Sequence, residues 1–372
     1  MRIGIDIRMW DETGIGTYIR HLIRELILIS SEHDFYIFGL SKDLECVSGY
    51  LPENWSFVPC DVNWYGVKEQ LQAPVIFSLK KLDVLHVPHF NVPLTYTGKF
   101  IATIHDITHT THSNFMSTGS GRLKYFLKKN VYNFVLRNAL YRSRELIVPS
   151  EYVKRVLIDR FGLRSSKINV TYEAADPCSI VSSDKLIRVL SKFGVTKRYF
   201  YYIGNAYPHK NLEFILRSFA EFRKRYPDFQ LVLSGGDPIF WPRLKKFALH
   251  NHLSENVIYT GRVTDTERDS FYKGAMAYLF ASASEGFGLP ILEAMSCGCP
   301  VVVAKNSCLP EIAGIAADYF EPSVVASCVE VMERIVEDES HRIKKIAEGL
   351  RRVNQFSWKR MATQTLEIYE RL

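Results

Sequence analysis

The sequence predicts an α/β protein made of two doubly wound parallel sheets, and three observations carry that prediction. Short β-branched or aromatic runs alternate with longer amphipathic segments from end to end, as in parallel sheets covered by helices on both faces. At 372 residues the chain exceeds the size, about 250–300 residues, at which a single core stops growing. The alternation breaks once, near residues 175–198, where Asp176-Pro177-Cys178-Ser179 interrupts it. The expected domains are therefore 1–178 and 179–356, facing each other across a cleft.

The first series of expected strands is Ile3–Ile7, Phe35–Phe38, Val84–Val87, Phe100–Ile104, Leu146–Val148 and Asn169–Tyr172. Gly16–Leu28, Leu123–Leu140 and Tyr152–Phe161 carry helical periodicity between them. After a helix over Asp184–Lys192 come strands at Phe200–Ile203, Gln230–Leu233, Val257–Tyr259, Ala277–Ala281 and Pro300–Ala304. Helices at Leu212–Tyr226 and Pro290–Cys297 belong to this second series, and Trp358–Leu372 reads as a terminal amphipathic helix.

Composition narrows the classes. Hydrophobic residues at 47% and charged residues at 23% describe an ordinary soluble globular protein. The net charge of +7 is mild for a nucleic-acid binder, so no nucleic-acid partner is expected. Seven cysteines without a Cys-x-x-Cys read as reduced thiols, and no metal site is expected. Asp6 stands where a signal peptide needs an apolar run, and no apolar stretch is long enough to span a bilayer. The expected location is the cytoplasm, free or peripheral on the inner face of the membrane.

Ligands of open α/β sheets sit outside the carboxyl ends of the strands, so the residues just after each strand are the candidates. The strongest run is Ser284-Glu285-Gly286-Phe287-Gly288-Leu289-Pro290-Ile291-Leu292-Glu293, directly after a strand. Pro290 suits a first helical turn, and Gly286 and Gly288 let backbone approach a ligand. The free amides of that helix start suit a diphosphate, while Glu285 and Glu293 can accept hydrogen bonds from sugar hydroxyls. Lys210, in Gly204-Asn205-Ala206-Tyr207-Pro208-His209-Lys210-Asn211, sits at another loop-to-helix junction where a phosphate would be met.

In the first half, Gly14 and Gly16 lie between strand and helix, but Ile19 occupies the third glycine position of a dinucleotide fingerprint. His105 and Asp106 end another strand. His109 and His112 follow without an evident further ligand. From Ile107 to Arg144 no acid occurs against seven basic residues, so 122–144 is a candidate for an anionic membrane surface or a plain solvated face.

The Glu285-to-Glu293 segment resembles the Glu-x7-Glu signature of retaining GT-B glycosyltransferases of the fourth family (group 1). Ala294–Val302 and Ser307-Cys308-Leu309-Pro310-Glu311 continue the pattern. The resemblance implies two Rossmann-like domains, with the last helix, 357–372, returning to the N-terminal one. It places Glu285 and His105 at the transferred sugar and Glu293 on the nucleotide ribose. Gly14, Gly16, Gly286, Phe287, Gly288, Leu289 and Lys210 fall at the donor. Asn205 stands where an arginine is usual, so a second cation is expected from His209 or Arg262. The Ser234-Gly235-Gly236-Asp237 turn also matches.

The expected activity is retaining, metal-independent transfer from a nucleotide-diphosphate sugar to a saccharide or lipid-linked acceptor. The loop before Asn211 is similar to that of bacterial mannosyltransferases, which favours GDP-mannose. A UDP-sugar donor, a GT-B-like epimerase or hydrolase, and a catalytically silent sugar-binding subunit are the alternatives.

Overall fold

The computed structural model describes residues 1–29, 32–107, 122–236 and 239–372. The chain divides into two compact units. One takes the described residues up to Glu173 together with Ser357–Leu372; the other is Ala174–Phe356.

The first unit holds a fully parallel seven-stranded sheet in the order β3-β2-β1-β4-β5-β6-β7. Its strands are β1 (Arg2–Asp6), β2 (Asp34–Gly39), β3 (Trp55–Pro59), β4 (Val84–Val87), β5 (Phe100–Thr103), β6 (Leu146–Val148) and β7 (Ile168–Val170). The central strands are buried along their length, as a sheet covered on both faces requires. The helix Glu151–Phe161 shows how local sequence sets boundaries. Ser150 accepts the Val153 amide at its start, and Gly162 at φ 65° ends it.

The terminal helix Trp358–Glu370 packs in this unit against the helix Ile15–Ile29. Trp358 stacks on His21 with ring centres 4.2 Å apart. Tyr369 Oη lies 2.6 Å from Nδ1 of His86, whose Nε2 meets Thr103 at 2.8 Å. Burial, helped by nearby His105, drives His86 down to about 3, so it is a neutral structural histidine.

The second unit carries a six-stranded parallel sheet in the order β10-β9-β8-β11-β12-β13. Its strands are β8 (Arg198–Ile203), β9 (Phe229–Ser234), β10 (Val257–Gly261), β11 (Ala277–Phe280), β12 (Val301–Ala304) and β13 (Ala317–Phe320). Two strands have no counterpart in the sequence reading. β3 is an edge strand closed by a proline. β13 is four residues containing Asp318, a buried carboxylate that His341 meets at 2.8 Å.

Gly235 marks the tightest approach beside the site. Its φ is 138°, and a Cβ there would lie 1.9 Å from the carbonyl oxygen of Gly204. Gly235→Ala should therefore cost about 2–4 kcal/mol, from backbone strain and overpacking together. A denaturant midpoint lowered at unchanged slope would register it.

The thiols correct the expectation. Cys178 and Cys297, 119 residues apart, are joined in a disulfide, while the other five cysteines are free. Sequence spacing carried no sign of this, because the fold alone brings the linker residue to the end of the helix Leu289–Ser296. Among the described residues, no helix is long and apolar enough to cross a membrane.

Candidate active site

In the second unit, β8, β9, β10 and β11 end side by side, and the loops after them assemble the donor candidates. Tight backbone packing at the rim comes first: the Gly204 amide donates to the Ser234 carbonyl at 3.1 Å and the Gly235 amide to Gly261 at 2.9 Å. After β8, Pro208–Lys210 forms one 3-10 turn, and Asn211 at φ 57° swings the chain into the helix Leu212–Phe222. The His209 carbonyl accepts the Ala283 amide at 2.7 Å, which ties this turn to the loop after β11.

That tie brings Lys210 to Glu285. Nζ and Oε1 are 2.6 Å apart, with the side chains 16% and 14% exposed. The ammonium also lies 5.8 Å from the centre of the Phe280 ring. A charge pair this sheltered is screened far less than a surface pair. An anion arriving at Lys210 therefore meets a cation held in place by a carboxylate.

Behind Glu285, Gly288 at φ 92° caps the helix Leu289–Ser296, with Pro290 in its first turn. The opening amides of such a helix lack intrahelical acceptors and face an anion. Gly286, Phe287 and Gly288 are buried and Leu289 is half-buried. Phe287 packs against Phe356, and its carbonyl and that of Glu285 accept from the Cys308 thiol at 3.2 and 3.3 Å. The loop is thus held from beneath.

Glu293, one turn into the helix, is one-fifth exposed. Arg268 lies 3.5 Å from its Oε1, and Tyr272 Oη donates to Oε2 at 3.2 Å. Burial pushes its carboxyl above the ordinary value of 4.5, although Arg268 and Tyr272 oppose that. Arg268 itself is shared with Asp269 at 2.9 Å and Asp265 at 3.1 Å. Sequence reasoning missed Arg268 and Tyr272; they lie on the helix Asp265–Gly274, which carries no strand-end or glycine signature.

Asn205 supplies no charge. Its Oδ1 accepts the Tyr207 amide at 3.4 Å, and its carbonyl accepts Tyr202 Oη at 2.8 Å. Arg262 is exposed just past β10, its side chain lying along Gly236 on the same rim, 3.1 Å from where a Cβ would stand. Between the two candidates for a second cation, this position favours Arg262. Asp237 lies outside the described residues.

In the first unit, His105 follows β5. Its Nδ1 is 3.2 Å from Oε1 of Glu173, its Nε2 is 3.2 Å from the Pro88 carbonyl, and Tyr18 packs edge-on at 4.8 Å. Asp106 is adjacent to His105 in the chain. The ring meets Glu173, 68 positions away and only 10% exposed. Gly16 is explained by packing, since a Cβ there would lie 2.3 Å from the Trp10 carbonyl, while Gly14 at φ 72° forms the turn before it. His109, His112 and the side chains of 122–128 lie outside the described residues. Over 129–142 apolar groups occupy opposite faces, with Val131 and Phe134 exposed and Leu136 and Leu140 buried.

Comparison with known proteins bears on the family and the fold. A family profile described as glycosyl transferases group 1 matches residues 184–351, and one described as glycosyltransferase family 4 matches residues 13–177. The chain is 30% identical over 299 residues to O-antigen chain mannosyltransferase B of Escherichia coli, covering 78% of this chain and 74% of that one. It is 26% identical to the serotype-specific mannosyltransferase WbdA of Escherichia coli over 62% of this chain, but over only 29% of that longer protein. Among solved structures, Anabaena Alr3699/HepE in complex with UDP and glucose superposes with a TM-score of 0.76 at 17% identity, covering all of both chains. That last likeness speaks to the GT-B fold.

Proposed function

Because the chain belongs to the group 1 glycosyltransferases, we propose that it moves mannose from GDP-mannose onto a saccharide or lipid-linked acceptor, with retention and without a metal. The observation that carries this reading is the Lys210–Glu285 pair at the start of the helix Leu289–Ser296. It sets a cation, helix amides and a carboxylate around one point, which suits a diphosphate bonded to a sugar. In the proposed step the bond from the anomeric carbon to the diphosphate oxygen breaks. The acceptor oxygen bonds to that carbon on the same face, and the acceptor proton passes to the departing diphosphate. Lys210, the helix amides and Arg262 stabilise the charge that develops there. Glu285 steadies the sugar, and Glu293 receives the ribose hydroxyls. The mannosyl donor is supported by the named activities of the mannosyltransferase relatives.

The test is a donor panel of GDP-mannose, UDP-glucose, UDP-galactose and UDP-N-acetylglucosamine, each with and without a chelator. GDP release that needs acceptor, survives chelation and yields an α-linked product is expected. Turnover with a UDP-sugar alone would move the donor assignment. Loss of activity on chelation with recovery on magnesium would overturn the metal-independent account. Free sugar or an epimerised donor without transfer would overturn the reaction type.

A further inference from the structure

The Cys178–Cys297 disulfide has no part in the transfer step, yet it completes a closed circuit of contacts around Glu293. Cys297 caps the helix Leu289–Ser296 one turn beyond Glu293, and its amide donates to the Glu293 carbonyl at 3.3 Å. On the other side of the bond, the amide of Ser179, next to Cys178, donates to Oδ2 of Asp269 at 2.8 Å. Oδ1 of Asp269 accepts from Arg268 Nη2 at 2.9 Å and from its Nε at 3.0 Å. Arg268 then lies 3.5 Å from Oε1 of Glu293. Glu293 is thus reached from the 178–179 segment twice, covalently through its own helix and by hydrogen bonds through its cationic partner.

The segment that supplies Cys178 depends on such anchors. Residues 171–182 carry no helix or strand, so no backbone ladder fixes them. Asp176 and Pro177 are exposed, and Ile180 is 96% exposed. Asp269, by contrast, is 2% exposed, and a buried carboxylate relies on every donor it has. If the Ser179 amide moved away, Arg268 would be shared differently among Asp269, Asp265 and Glu293, which it meets at 2.9, 3.1 and 3.5 Å. The two sulfurs and a carboxylate oxygen of Asp269 lie within 4.8 Å of one another, so a change at the bond is felt at that carboxylate. Both bonded cysteines are only half-buried, which lets a small thiol reach them, whereas Cys60, Cys299, Cys308 and Cys328 are buried. In reducing compartments disulfides are mostly transient and redox-sensing.

We propose that the Cys178–Cys297 pair is a thiol–disulfide switch on nucleotide affinity, its bonded form holding Asp269 and Arg268 so that Glu293 is oriented for the ribose; this rests on the transferase reading above. A thiolate of an external dithiol attacks one sulfur, and the other leaves as a thiolate and takes a proton. The second thiol of the reagent then displaces the remaining protein sulfur, which is protonated in turn. Two protein thiols and one cyclic disulfide result, two electrons and two protons having passed to the protein. Reduction releases the 178–179 segment, and the Ser179–Asp269 bond loses its covalent support. Nucleotide binding must then restore that order itself, which costs affinity. By linkage, bound nucleotide favours the disulfide by the same factor.

The experiment titrates the oxidised and the dithiothreitol-reduced full chain with GDP and with UDP by calorimetry. Thiol counts on the denatured protein, seven in place of five, verify the reduction. Reduction should raise the Kd of the nucleotide that binds about tenfold, and kinetics should place the loss in donor KM with kcat nearly unchanged. Cys178→Ser should bind like the reduced chain and ignore the reagent, with circular dichroism checking the fold of each form. In mixtures of reduced and oxidised dithiothreitol, saturating nucleotide should shift the thiol–disulfide midpoint by the same tenfold, about 30 mV toward more negative potential. A bond that only stabilises the fold would lower the thermal midpoint on reduction while leaving affinity and the redox midpoint unchanged, and that result overturns the switch. So does a Cys178→Ser variant that binds as tightly as the oxidised chain or still responds to the reagent. Absence of binding by either form overturns the switch and the donor site together. Affinity that depends on the redox state, in a chain that transfers sugar from no donor, keeps the switch and overturns the transferase reading.

Discussion

Lys210→Met should lower kcat/KM for the donor by roughly 100- to 1000-fold, the usual cost of removing a preorganised group from developing transition-state charge. Geometry makes the loss larger than that of a surface lysine. Lys210 is held 2.6 Å from Glu285 with little solvent access, so its charge is neither screened nor free to wander. Taking it away also leaves the sheltered Glu285 carboxylate without its cation, which disturbs the second site residue. Lys210→Arg should recover part of the rate, since charge persists while the compact ammonium geometry does not. Steady-state kinetics with the active donor, alongside circular dichroism, separates loss of chemistry from loss of fold. A Met variant within threefold of wild type would remove Lys210 from the site.

What could be read in advance followed from where chemistry sits in parallel α/β folds. Glu285, Gly288, Pro290 and Lys210 stand directly after strands, so their positions were legible from periodicity and punctuation alone. Partners contributed by distant elements were not. Glu173 reaches His105 across 68 positions, and Arg268 reaches Glu293 across two helices, each through ordinary residue types with no local pattern. The Cys178–Cys297 bond escaped for the same reason. Short strands behaved similarly: β13 survives with a buried aspartate because His341 and Arg334 approach it from helices later in the chain.

Glu285→Gln and Glu293→Gln should divide cleanly, the first in kcat and the second in donor KM. The proposed mechanism puts Glu285 at the sugar, where positive charge grows as the glycosidic bond opens, so its carboxylate would bind the transition state better than the donor. The same proposal puts Glu293 at the ribose, a contact equal in ground and transition states, so its loss would be uniform binding. A charged hydrogen bond of roughly 1.5–3 kcal/mol makes each change about 10- to 150-fold. Acidity gives a further separation. Burial holds the Glu293 carboxyl above 4.5, and only its ionised form accepts two hydroxyls while pairing with Arg268. As pH falls through that raised value the proton binds, the pair with Arg268 weakens and the ribose loses its acceptor. Donor affinity should therefore begin to decline at a higher pH than the ordinary glutamate value of 4.5 would give in wild type. In Glu293→Gln the affinity should be weaker throughout and flat across that interval. Titration calorimetry with the nucleoside diphosphate at several pH values measures this without turnover. A wild-type affinity independent of pH, or a kcat defect confined to Glu293→Gln with Glu285→Gln altering only KM, would show the two carboxylates to be exchanged in role.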